Sequence, residues 1–107
     1  MADFTGRREA FERKFVHDEA LRFKAIARRN RLFGLWAAGQ LRKSGTEAET
    51  YADTVVIADF EEPGDDDVIR KVVSDLDAAD VRVDEGQVRR VLEGFIDRAV
   101  HEIKAGI

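Results

Sequence analysis

Residues 21–45 read LRFKAIARRNRLFGLWAAGQLRKSG, with five basic side chains between Arg22 and Arg31 and an almost unbroken apolar or small run over 32–41 that holds the only tryptophan, Trp36. Phe23, Ile26, Ala27, Phe33, Ala37 and Leu41 recur at helical spacing, so the stretch predicts one long helix. Its apolar end calls for burial on several sides, and its cationic end for solvent or an acidic partner. Gly34 and Gly39 each cost a helix about 1 kcal/mol relative to alanine, which is tolerable where a second helix backbone comes close. In Ser44-Gly45-Thr46-Glu47, Gly45 predicts a left-handed C-terminal cap. Ser44 and Glu47 have the spacing of a capping box that opens the next helix.

Working outward, a second helix is expected over roughly 47–61, burying Tyr51, Val55, Ile57 or Ala58, and Phe60, and stopped by Glu62-Pro63-Gly64. Asp65, Asp66 and Asp67 then supply an N-cap and first-turn acids for a third helix faced by Val68, Ile69, Val72, Val73 and Leu76. After a short connection at 80–83, Asp84 pairs with Gln87 as an N-cap, and Val83 is placed to staple onto Val88. The last helix puts Val88, Val91, Leu92, Phe95, Ile96, Ala99 and Ile103 on one broad stripe. Short links favour antiparallel neighbours, so the fold class is all-α, a compact four-helix bundle with a long first helix.

At 107 residues the chain is read as one domain, with a modest core and little room for an elaborate enzyme. It has no cysteine, hence no disulfide framework, thiolate metal site or thiol nucleophile. MADFTGRREAFERKF lacks the apolar core of a signal peptide and no run reaches membrane-spanning length, so a cytoplasmic protein is expected. The net charge of −4 conceals polarity: residues 1–43 hold 11 basic and 5 acidic side chains, about +6, and residues 44–107 hold 7 and 17, about −10. Such a chain pairs its own halves or offers one half to an oppositely charged partner.

Residues 1–18 differ from the rest. They carry Gly6, a mixture of charges, and only Phe4, Phe11 and Phe15 as large apolar anchors, so a mobile, partly helical arm is expected ahead of a four-helix domain at 19–107. Three phenylalanines on a charged arm want burial by something else. The arm residues expected to meet a partner are Phe4, Arg7, Arg8, Phe11, Arg13, Lys14, Phe15, His17 and Asp18; titration of His17 near neutral pH would tune that contact.

Catalytic readings find little. His17 and His101 are far apart, and a lone histidine beside an acid on a helix is usually a solvated side chain. The run from Glu61 to Asp67 lacks the alternating oxygen ligands of a calcium loop, and helix capping accounts for its aspartates better. Gly34 and Gly39 lie inside a helix without the lysine of a phosphate loop. A basic helix containing Arg28, Arg29 and Arg31 suits phosphates, either of nucleic acid or of an adenine nucleotide. The acids of the second half can neutralise it internally.

The run over 21–45, continued by Tyr51-Ala52, by 55–64 (VVIADFEEPG) and by Asp67-Val68, strongly resembles the zeta subunit family of small inhibitors of bacterial F-type ATP synthases. Arg7, Ala10-Phe11-Glu12, Lys14-Phe15 and Asp18-Glu19 also fit the family pattern, so the resemblance covers essentially the whole chain. Ala20 stands where that pattern has an acid, the first phenylalanine is followed by Thr5-Gly6 and then Arg7-Arg8 where acids are common, and Asp80 takes a turn usually given to glycine.

The resemblance implies a non-enzymatic inhibitor whose amino-terminal arm wedges between the alpha and beta subunits, reaches the gamma rotor and blocks ATP hydrolysis. It implies a monomer when free, on the cytoplasmic side, peripheral to the inner membrane through ATP synthase. No cofactor is expected, apart from the weak ADP or ATP binding with which the family is credited. The alternatives are a nucleic-acid-binding helical module using residues 22–31 and an adenine-nucleotide sensor.

Overall fold

The computed structural model describes residues 19–59 and 64–106, which form four helices: α1 (Glu19–Gln40), α2 (Gly45–Ala58), α3 (Asp66–Ala78) and α4 (Glu85–Lys104). Among the described residues there is no strand, and no helix is long and apolar enough to cross a membrane. The apolar half of α1 is the hub. Phe33 and Ala37 are wholly buried with Val55 of α2, Val68, Ile69, Val72 and Leu76 of α3, and Val88 and Leu92 of α4. Trp36 stacks on Phe33 with ring centroids 5.8 Å apart, and it packs with Leu41, Val81 and Val83 against this core. Helix α1 packs most extensively on α2 and α4; the backbones of those two stay apart, and α3 bridges them.

Gly34 has a steric reason to be glycine. A Cβ there would sit 2.7 Å from Cα of Ala52, closer than two carbons can approach, so α1 and α2 meet backbone to backbone. Gly39 corrects the expectation made for both glycines: nothing lies within 4 Å of its Cβ position.

The helix ends correct the sequence reading in several places. The left-handed cap of α1 is Arg42 (φ 61°), with Lys43 N–H donating to Ala38 O at 2.9 Å and Arg42 N–H to Gly39 O at 3.1 Å, a Schellman closure; Gly45 (φ 57°) instead opens α2. The capping box does not form: Ser44 sits at the N-cap without a side-chain bond, and Glu47 pairs with Lys43 at 3.2 Å. Asp65 holds the N-cap position of α3 but spends its carboxylate on Arg29. Asp66 and Asp67 are first-turn acids as expected, pairing with Arg89 (3.1 Å) and Arg70 (3.6 Å). Asp84 accepts from Gln87 N–H at 3.2 Å, and Asp80 takes the left-handed turn (φ 60°) with Val81 N–H on Leu76 O. Helix α2 ends at Ala58, which is buried, while Ile57 is 62% exposed; Phe60 lies outside the described residues.

Candidate partner-binding site

The basic half of α1 is a junction with the acids of the other helices. Arg29 is buried, and its guanidinium grips both oxygens of Asp65 at 2.8 and 3.3 Å while Nε and Nη2 donate to Asn30 Oδ1. Such a fork uses arginine geometry that a lysine lacks. Asn30, itself buried, donates a side-chain hydrogen bond to Asp59 at the end of α2. Burial pushes the Asp59 carboxyl above the usual aspartate range; the Asn30 bond and the Arg29 charge pull the other way without cancelling it, and Asp65 and Asp67 add to the rise. On either side, Arg28 reaches Glu102 of α4 at 3.5 Å and Arg31 reaches Asp53 of α2 at 2.8 Å.

At the opposite edge of α2, Tyr51 Oη donates to Asp75 at 2.7 Å, and Lys71 both pairs with Asp75 at 3.0 Å and lies 5.3 Å over the Tyr51 ring. Burial, then that hydrogen bond and its charge, hold the Tyr51 hydroxyl well above the usual phenol range. This network clamps α2 to α3 and touches neither cleft of the basic half.

Two clefts flank Phe23, which is 56% exposed. The larger, about 830 Å³, runs between α2 and α4 over α1, with Ala27, Val56, Ile57 and Ile103 as its apolar lining and Lys24, Arg28, Arg31 and Asp53 among its polar residues. The smaller, about 440 Å³, opens beside Arg29, Asn30, Asp59 and Asp65.

Of the residues expected to meet a partner, Phe4, Arg7, Arg8, Phe11, Arg13, Lys14, Phe15, His17 and Asp18 lie outside the described residues. Arg28, Arg29 and Arg31 come together on one half of α1, but each faces a carboxylate of this same chain rather than standing as an open basic row. The Asn30–Asp59 pair was missed, although a signal existed. Asn30 sits on the stripe of Ile26, Phe33 and Ala37, where a polar residue demands a buried partner. The larger groove was missed because it depends on α2 and α4 standing apart, which no local pattern encodes.

The family model for ATPase inhibitor subunit zeta matches residues 1–102. No curated protein matches the chain. A protein whose structure was solved in solution by NMR is 48% identical, with 81% of this chain and 99% of that one covered and a TM-score of 0.73.

Proposed function

The chain belongs to the ATPase inhibitor subunit zeta family, and from that membership we propose that it inhibits ATP hydrolysis by an F-type ATP synthase without itself being an enzyme. Residues 1–18 are the inhibitory arm and 19–107 the domain that stays outside. The arm enters an interface of the alpha and beta subunits and meets the gamma rotor there, which places the protein on the cytoplasmic side of the membrane. The observation that carries the reading is the extent of the family match, which begins at residue 1 and so includes the arm.

The arm has the chemistry for this task. Phe11 and Phe15 stand one helical turn apart, with Arg7, Arg8, Arg13 and Lys14 around them to meet carboxylates. A segment that orders on binding spends part of its interaction energy on that ordering, so its few aromatic anchors must carry the affinity. The internal pairing of Arg28, Arg29 and Arg31 favours this reading over a nucleic-acid module, which needs those cations turned outward.

The test is to remove residues 1–18 and titrate the remaining chain into the cognate enzyme during ATP hydrolysis. Inhibition is expected to weaken by at least about a hundredfold, the loss of roughly two anchor side chains. A truncated chain that inhibits as well as the intact one removes the arm mechanism and leaves only the family assignment.

A further inference from the structure

Helix α3 covers only part of the bundle. At about 1.5 Å per residue its 13 residues span roughly 20 Å, against roughly 33 Å for the 22 residues of α1. Its buried side chains cluster with Phe33 and Ala37, at the apolar end. At the basic end α2 and α4 flank α1 with their backbones apart, and the groove between them has no described lining residue from α3. Among the described residues, that end is a three-helix arrangement. Ile57, 62% exposed one residue before the end of α2, lines the groove with Val56, Ala27 and Ile103.

We propose that residues 1–18 dock in this groove of the same chain, storing Phe11 and Phe15 on the domain until the enzyme competes for them. The inference rests on the reading of residues 1–18 as the inhibitory arm. The chain enters α1 at Glu19, one turn before Phe23 and Lys24 at the groove. Phe15 lies four positions before Glu19 and Phe11 eight, reaches of at most about 14 and 29 Å. So short a tether gives an effective concentration on the order of millimolar, enough for a weak contact to be populated. Phe11 and Phe15 at i, i+4 suit an apolar helix-binding groove. Glu12 flanks that pair, and Lys24 at the groove has no ion-pair partner among the described residues.

Two measurements on the full chain test this. In methyl NMR of the free protein, the F11S/F15S variant is expected to shift Val56, Ile57 and Ile103 while leaving Val72 and Leu76 in place; unmoved groove methyls overturn the proposal. In the hydrolysis assay, I57E is expected to inhibit at about fivefold lower concentration than the wild type, the factor by which an arm four-fifths docked dilutes its competent form. Unchanged potency overturns docking. Weakened potency also overturns it, and assigns the groove to the enzyme instead. The docking and the arm reading fail separately, because the methyl shifts are read with no enzyme present, whereas the arm's role is read from whether F11S/F15S still inhibits.

Discussion

The two halves of α1 run through opposite environments. Over 32–41 the helix is held by shape: Phe33, Ala37 and Ala38 are wholly buried, and Gly34 lets the backbone of α2 come to contact. Over 22–31 it is held by pairing, with Arg28, Arg29 and Arg31 each matched to a carboxylate on α4, the start of α3, or α2. Apolar burial is strong and is not screened by salt, whereas ion pairs reward the fold only where geometry and partial burial are both good. The first half should therefore fix the stability of the domain, and the second should fix how its helices are oriented around the groove.

The largest effect that would test this contrast comes from Phe33→Ala. It removes a wholly buried ring and the stacking partner of Trp36, and is expected to cost about 4 kcal/mol, read as a fall in the urea midpoint of Trp36 fluorescence. A loss near 1 kcal/mol would mean that the apolar half collapses around the gap, and the contrast would blur.

Arg29→Ala comes next, at about 2 kcal/mol, because it strands the half-exposed Asp65 carboxylate and the buried Oδ1 of Asn30. Asp65 keeps 40% of its side chain exposed, which moderates the loss. The same change at Arg31, whose partner Asp53 is 63% exposed, is expected to cost below about 0.5 kcal/mol. Equal losses at the two arginines would show that burial does not set the worth of these pairs.

Much of this division was legible in the sequence. The alternation of cationic and apolar residues along 21–45 announced a helix with two different ends, and the acids of the second half announced where the cations would go. The stripes of α3 and α4 put Val68, Ile69, Val72, Leu76, Val88 and Leu92 in the core that forms. Local chemistry failed at places where tertiary contacts outbid it. Asp65 reads as an N-cap, but a buried guanidinium is a stronger partner than a backbone amide that water can reach. Arg42 rather than Gly45 closes α1, with Lys43 N–H on Ala38 O, and Gly45 is taken up as the first residue of α2. The groove escaped notice because helix lengths, not residue types, keep α3 from lining it.

The smallest expected effect is at Asp59, and its sign distinguishes pairing from burial within the polar half. Burial raises its carboxyl in the folded state more than Asn30 and Arg29 lower it. The folded protein therefore keeps this proton at a pH where the unfolded chain, titrating near 3.8, has lost it. The stability that the protonated group contributes is complete below that value and is lost as pH rises through the raised one. At neutral pH the ionised carboxylate is a net cost. Asp59→Asn removes the charge and keeps an oxygen to accept from Asn30, so the variant should melt slightly higher than the wild type near neutral pH. The gain should shrink as pH falls through the raised value and vanish at the acid end, followed by thermal midpoints across that range. A variant that melts lower at neutral pH would mean that attraction to Arg29 outweighs burial, and that pairing governs even this half-buried acid.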